Sequence, residues 1–358
     1  AGLWLSREPW MDGIAERFAP LGEVLRGPYR NTYRRKSRSF SHLLPSGRVL
    51  APIRKQWSTF RPDILHLNKQ CLEDGLDLLE GANTFPVAQG CTLHITQTAV
   101  ELKAFLGGLR DAVARRALRR YRGGLWAIAR NRAEALRAFV GEGRAVSCIP
   151  NGVRIPTEAE MIESARQGRA TAALAGQDGP VAVSVGRLEP QKDPMRFLEI
   201  MALWKARDAG LSAVWVGDGG MRAAFEERIA AMGAKDWITC VGWQESAHPF
   251  LAMADVYVHP ARFEGLPFAL LEAMAHGLPC VISPELAADL KDIPAETWIL
   301  AGADEADWLA QLADRNGLEQ RGRETRELAI QSFSLQAMAR AYVDLYQRML
   351  RERGPDRS

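Results

Sequence analysis

A chain of 358 residues, 47% hydrophobic and 25% charged, has the length and balance of a globular protein with two ordinary domains, each able to bury its own core. No stretch approaches the length of a spanning helix, and the first residues show no signal-peptide layout. The five cysteines, Cys71, Cys91, Cys148, Cys240 and Cys280, are scattered, odd in number and set mostly in apolar runs, which argues against a disulfide scaffold or a metal site and for small buried hydrophobes in a reducing cytoplasm.

The net charge of +3 conceals a division. Residues 1–150 hold 24 Lys and Arg against 13 Asp and Glu, a balance of +11, and residues 151–358 hold the remaining 22 against 30, a balance of −8. Two clusters dominate the basic half: Arg30, Arg34, Arg35, Lys36 and Arg38, then Arg115, Arg116, Arg119, Arg120 and Arg122. Taken singly these are solvated arginines. Taken as an asymmetry, they suit an anionic partner, either a membrane surface or a phosphorylated acceptor. Nucleic acid lacks support, because no nucleic-acid module and no interleaving of aromatic and basic residues accompanies them.

In chain order, Leu21 to Leu25 reads as a strand, as does Asp63 to Leu67 after the Pro62 break. Pro86 to His94, Leu125 to Ala129 and Ala145 to Pro150 follow, the last running into Asn151-Gly152-Val153. Val181 to Arg187 is a buried strand that ends in Gly186-Arg187 and leads to Lys192. Ala213 to Val216 is closed by Gly217-Asp218-Gly219-Gly220, and Ile238 to Trp243 is a third strand of this half. Ala254 to Pro260 reads A-D-V-Y-V-H-P, and Leu278 to Ile282 gives a fifth. Strands alternating with helices of ordinary length indicate a parallel, doubly wound sheet. At the end, Ser334 precedes Met338, Ala341, Tyr342, Leu345, Tyr346 and Met349, a serine cap before an amphipathic helix.

The segment Phe263 to Met274 is the most informative. It sets Glu264 and Glu272 either side of a turn that opens a helix, with seven residues between them. Gly265 brings backbone freedom to that turn, and Pro267 suits the first helical position. From Phe268 to Ala275 only Glu272 is polar, so a carboxylate is expected in a buried helix, where it needs a partner such as a ligand hydroxyl. The free amides of such a helix start also suit a phosphate.

These segments, G-R-L-x-x-x-K, G-D-G, A-D-V-Y-V-H-P and the E-x7-E pair, lie in one order over residues 149–282. The set resembles the retaining glycosyltransferases of the GT-B fold, family 4 (glycosyl transferases group 1). The resemblance implies an α/β, GT-B architecture: two doubly wound Rossmann-like domains facing a cleft. The N-terminal, acceptor-side domain would take residues 1–152 plus 335–358, the last helix crossing back to it. Residues 153–334 would form the donor-binding domain. The family opens with a strand and a Gly-rich loop, whereas this chain begins at Ala1-Gly2-Leu3 as if already in that loop, which implies a missing first strand and a fragment in preference to an unusual sheet. Two departures stand out: Arg154 replaces the family's usual aspartate after P-N-G-V, and Ser283-Pro284-Glu285 shortens the turn after the fifth strand.

The resemblance also assigns roles. Arg187 and Lys192, on an exposed loop, would stabilise the charge that grows on a departing diphosphate without a metal or other cofactor. Glu272 would accept the ribose hydroxyls and Glu264 would sit by the donor sugar. Gly186, Gly217 and the amides of Gly265, Leu266 and Phe268 would line the sugar and diphosphate, and Trp243 and Gln244 the nucleobase. His94, ending an apolar strand, is the catalytic candidate of the first domain. Retention would need no protein nucleophile if the departing phosphate takes the acceptor's proton. His66, His248, His259 and His276 lack metal-ligand spacing and read as structural. The reaction implied is transfer of a sugar from a nucleotide diphosphate, UDP-linked in the leading reading, to a glycan, lipid or other hydroxyl acceptor in envelope or polysaccharide synthesis. It would take place in the cytoplasm, with peripheral attachment to the inner membrane face through Arg115, Arg116, Arg119 and Arg120. The alternatives are a non-catalytic nucleotide-sugar-binding protein, or an epimerase or phosphorylase on the same scaffold.

Overall fold

The computed structural model describes residues 1–29, 47–174, 178–302 and 304–353. The basic cluster Arg30, Arg34, Arg35, Lys36 and Arg38 lies outside the described residues. The chain divides into two compact units, residues 1–149 with 341–358, and residues 150–340. No helix among the described residues is long and apolar enough to cross a membrane.

The first unit contains β1 (Gly2–Ser6), β2 (Glu23–Gly27), β3 (Ile64–Lys69), β4 (Ala88–Leu93), β5 (Gly124–Ala127) and β6 (Val146–Cys148). All pairings are parallel, in two sheets: β1 with β2, and the four strands β3-β4-β5-β6 in sequence order. The expected loop at the start of the chain is therefore corrected. Gly2–Ser6 is a strand, and its Trp4 makes the difference: the indole packs on Tyr29 and Trp57 and donates to Gln56 Oε1 at 2.8 Å, tying this short segment to the helix Gly47–Thr59. The four-stranded sheet carries the unit's core, from Ile53 and Trp57 through Leu72, Leu76 and Leu118 to Leu136.

The second unit is one six-stranded parallel sheet. Its strands are β7 (Val181–Val185), β8 (Ser212–Val216), β9 (Ile238–Gly242), β10 (Val256–His259), β11 (Cys280–Ile282) and β12 (Trp298–Leu300). They lie in the order β12-β11-β10-β7-β8-β9. Helices cover both faces, so the strands are buried on both sides and read as continuous apolar runs such as Val181-Ala-Val-Ser-Val185. The helix Pro194–Lys205 shows the local logic. Asp193 accepts a bond from the amide of Arg196, Pro194 fills the first position, and Phe197, Leu198, Met201 and Trp204 form the buried stripe. The serine cap at the chain end is present too: Ser334 Oγ accepts from the amide of Ala337 at 3.1 Å, opening the helix Leu335–Arg353.

Sheet order decides where this unit can hold a ligand. From β7 the chain winds outward to β8 and β9, then returns to β10 on the other side of β7 and continues to β11 and β12. The crossovers diverge between β7 and β10, and in an open parallel sheet the crevice at the carboxyl ends of two such strands is the usual ligand seat.

Candidate functional site

The residues that follow β7 carry the G-R-L-x-x-x-K pattern and those that follow β10 the E-x7-E pattern. Their two loops are joined by four links: Lys192 Nζ bonds Glu264 Oε1, Gln191 Nε2 donates to the Phe263 carbonyl at 3.1 Å, the Arg262 amide donates to the Gln191 carbonyl at 3.0 Å, and Arg262 pairs with Asp193 at 2.8 Å. A cation and a carboxylate 72 residues apart in sequence thus share the switch point.

Arg187 and Lys192 differ more than their loop position suggests. The Arg187 side chain is 64% exposed and pairs with Glu189 at 3.0 Å, as expected of a loop arginine. Lys192 is not on an exposed surface: its side chain is 16% exposed and that of Glu264 13%. The reason is Gly186. With no side chain there, the lysine stem lies against the glycine backbone, and a Cβ at Gly186 would sit 3.3–3.4 Å from Lys192 Cδ, Cε and Cγ.

Gly186 also fixes the neighbouring turn. Its carbonyl accepts from Trp215 Nε1 at 3.0 Å, its amide donates to the Val216 carbonyl at 2.9 Å, and a Cβ on Gly217 would run into the same carbonyl. Gly217 has φ 136° and Gly242, its bridge partner, φ 72°. These two, rather than Gly265, are the positions near the site where backbone geometry demands glycine.

The helix Phe268–Ala275 begins at Pro267, which is its N-cap, one position earlier than expected. Pro267 offers no side-chain cap, so that end keeps its first amides for another acceptor. Glu272 lies half-buried on this helix, and among the described residues no protein group is hydrogen-bonded to its carboxylate. Burial raises its pKa above the ordinary carboxylate value. Leu266 is buried as a core side chain, while Phe263 and Phe268 are exposed.

Further along the same edge, Trp243 follows β9 and is 73% exposed, so it is not a core residue. The Gln244 side chain donates to the Val241 carbonyl at 2.9 Å. The carboxyl ends of β10, β7, β8 and β9 therefore present, in spatial order, Glu264, then Arg187 with Lys192, then Gly217, then Trp243. With strands about 4.8 Å apart, this row spans roughly 14 Å.

His259, read from the sequence as structural, is buried at the end of β10, with Nδ1 2.9 Å from the Tyr257 hydroxyl and no hydrogen-bond partner for Nε2 among the described residues, which makes it a candidate that sequence alone does not single out. That nitrogen lies 3.9 Å from Glu264 Oε1. Burial, helped by nearby Lys192, holds its pKa well below the usual histidine range, so the ring is neutral. The available signal was a histidine closing a wholly buried strand just before the first glutamate. His248 and His276 contact each other, and His276 Nδ1 lies 2.7 Å from the Glu272 carbonyl. His66 is held between the Tyr346 hydroxyl at 2.6 Å and Thr92 Oγ1 at 2.8 Å, and burial takes its pKa to about 4.

In the first unit, His94 follows β4, half-buried, and its Nε2 donates to Asn68 Oδ1 at 2.7 Å, which leaves Nδ1 as the acceptor. Burial lowers its pKa. The four arginines of the patch are all exposed but differ in their contacts. Arg115 stacks 4.9 Å over the Phe139 ring and Arg119 donates to the Val140 carbonyl, both on the helix Arg130–Val140, whereas the side chains of Arg116 and Arg120 make no such contact among the described residues. A cavity of about 960 Å3 opens at the other ends of the strands, by Gln89, Arg122, Trp126 and Arg348, away from His94.

Residues 179–316 match the profile of glycosyl transferases group 1. The chain is 33% identical over 141 residues to the UDP-Gal:alpha-D-GlcNAc-diphosphoundecaprenol alpha-1,3-galactosyltransferase of Escherichia coli, covering 38% of this chain and 36% of that one. It is 29% identical over 176 residues to the lipopolysaccharide core biosynthesis glycosyltransferase LpsE of Rhizobium meliloti, covering 47% and 50%. The chain thus spans half or less of the length of these relatives. Among solved structures it resembles Anabaena Alr3699/HepE in complex with UDP, with a TM-score of 0.73 and 15% identity over 97% of this chain and 92% of that one. It also resembles the sucrose-phosphate synthase of Thermosynechococcus elongatus, with a TM-score of 0.70 and 21% identity over 93% and 84%. The fold is that of the GT-B glycosyltransferases.

Proposed function

We propose, for a chain whose second unit carries a glycosyl transferases group 1 domain, that the switch point of that unit binds a nucleotide diphosphate sugar, UDP-linked, and that the protein transfers the sugar with retention to a hydroxyl acceptor in envelope or polysaccharide synthesis. The observation that carries the reading is the row itself. An exposed indole, a glycine turn, two cations and a carboxylate pair line one sheet edge, and together they offer contacts for a base, a diphosphate, a ribose and a sugar. The match to UDP-bound structures and to a UDP-galactose enzyme supports the choice of nucleotide.

In this reading Trp243 stacks on the base. The ribose hydroxyls donate to Glu272, which gives its desolvated carboxylate the partners it lacks in the protein. Arg187 gives the diphosphate a planar, two-pronged contact and Lys192 a point charge. As the bond from the anomeric carbon to the diphosphate oxygen breaks, these fixed cations stabilise the leaving charge, and no metal is required. The acceptor oxygen bonds to the same face of that carbon and its proton passes to the departing phosphate. No protein nucleophile is needed, so Glu264 orients the sugar and His94 serves the acceptor side.

The test is thermal stabilisation by UDP, GDP and ADP and their sugars, since a ligand at a hundred times its Kd raises stability by about 2.7 kcal/mol. UDP and a UDP-sugar should stabilise most, with and without EDTA. The absence of stabilisation by any of them would end the proposal. An NMR assignment of an inverted anomer in the product would remove retention, and binding without turnover on any acceptor would favour the non-catalytic alternative.

A further inference from the structure

Large apolar side chains are concentrated on one exposed turn of the first unit, and this turn plays no part in the donor site. Phe105 is 84% exposed, and Val100, Leu102, Leu106 and Leu109 are each exposed by 49–58%. Five such side chains within ten residues exceed the scattered surface hydrophobics of an ordinary protein.

The turn is firmly built. Asp111 is buried and accepts from the amides of Ala99 at 2.7 Å and Val100 at 3.1 Å. Arg110 makes a two-pronged bond to buried Glu73 at 2.7 and 3.1 Å and reaches the Phe105 carbonyl at 3.4 Å. Thr98 and Glu101 cap each other, and Ala104 donates to the Ala99 carbonyl at 2.8 Å. Lys103 and Leu106 adopt left-handed backbone angles, φ 51° and 55°, which side chains rarely accept unless the surroundings impose them. Buried charges therefore hold an apolar turn outward in an unfavourable backbone, where a polar sequence would have cost less.

Charge names the partner. Lys103 stands on the turn itself, and Leu109, Ala112, Arg116 and Arg120 share the outward stripe of the helix that follows, at helical spacing. The nearby acid groups are occupied: Glu101 by Thr98, Asp111 by the turn's amides and Glu73 by Arg110. An apolar tip beside cations that no carboxylate among the described residues pairs is the chemistry that suits an anionic lipid surface, where the tip enters the headgroup boundary and the cations meet the phosphates.

We infer that residues 98–109, with Arg116 and Arg120, form a docking surface for an anionic lipid bilayer. This inference stands apart from the donor-site reading, and either can fail without the other. The test is co-sedimentation of the full chain with vesicles of phosphatidylglycerol and phosphatidylcholine, and with phosphatidylcholine alone, at low and high salt. Anionic vesicles should bind the chain, salt should weaken binding, and neutral vesicles should bind far less. Phe105→Ser with Leu109→Ser should reduce binding by on the order of tenfold or more, because the lost apolar burial is that of two large side chains. Arg116→Gln with Arg120→Gln should reduce it and flatten its salt dependence. UDP affinity and the melting temperature, measured on the same variants, should not move, since the changed residues are exposed and lie outside the second unit. The inference is overturned by no binding at low salt, by binding indifferent to the serine pair, or by a concentration-dependent dimer that the serine pair abolishes.

Discussion

Replacing Lys192 by Met tests the structure at its least expected point. Methionine keeps the stem that lies on Gly186 and removes only the charge, leaving Glu264 at 13% exposure without its cation. Removing one partner of a buried pair costs roughly 3–5 kcal/mol, and the partial exposure here reduces that to about 2–4. For a unit of this size each kcal/mol moves Tm by about 2–4 °C, so Lys192→Met should lower the transition of the second unit by roughly 4–16 °C. Arg187→Ala removes an exposed side chain and should stay within about 0.5 kcal/mol. Both should weaken UDP binding. Calorimetry of the ligand-free variants, followed by titration with UDP, separates the two effects. Adding Glu264→Gln to Lys192→Met should recover part of the lost stability, because the carboxylate that Lys192 balanced is then uncharged. A Lys192→Met protein that melts with its parent, or a double variant no better than the single one, would refute the reasoning.

Three more expectations follow from the same geometry. Burial raises the Glu272 pKa, so between its ordinary value and the raised one the folded state holds the extra proton and stability falls as pH rises; Glu272→Gln should therefore stabilise the ligand-free protein at pH 7 yet weaken nucleotide affinity in titration, while Glu264→Gln should spare that affinity and reduce transfer. His259 Nε2 faces Glu264 without a bond, so His259→Phe should lower kcat while leaving UDP affinity nearly unchanged, with a loss of about 1–3 kcal/mol in stability from the broken Tyr257 bond; a parallel loss of affinity would assign the ring to structure alone. His66, held near pKa 4, stays neutral in the fold while the unfolded chain protonates it near 6.5, so the first unit should lose up to about 3 kcal/mol as pH falls from 6.5 toward 4, and His66→Phe should flatten that loss in pH-resolved denaturant melts.

The second unit was legible because a parallel sheet buried on both faces writes itself as apolar runs. Val181, Ala213, Ile238, Val256 and Cys280 all fall inside segments read as strands. β12 escaped, being three residues long with no alternation to mark it. β1 escaped because its hold on the unit is one tryptophan meeting a helix some fifty residues later. The patterned site residues could be named from sequence, but their burial could not. Lys192 looked like a loop lysine, and only the tertiary approach of β10 shows it inside. The arginine patch shows a related difference, in contacts and not in exposure. Arg115 with Arg119 and Arg116 with Arg120 are equivalent by helical spacing, and packing against Phe139 and Val140 is what separates them.

The switch point also has a history in time. Lys192 and Glu264 leave the ribosome 72 residues apart, an interval of roughly 4–14 s at typical synthesis rates. During it β8 and then β9 are made and can pair with β7 in turn, while the flank of β7 that β10 will occupy stays a bare edge of unpaired amides and carbonyls. The centre of the finished sheet is thus, for several seconds, the outer edge of a half-sheet. A nascent chain halted near residue 250 should consequently be the form of this protein most prone to capture by chaperones and to pairing with its neighbours on the same message.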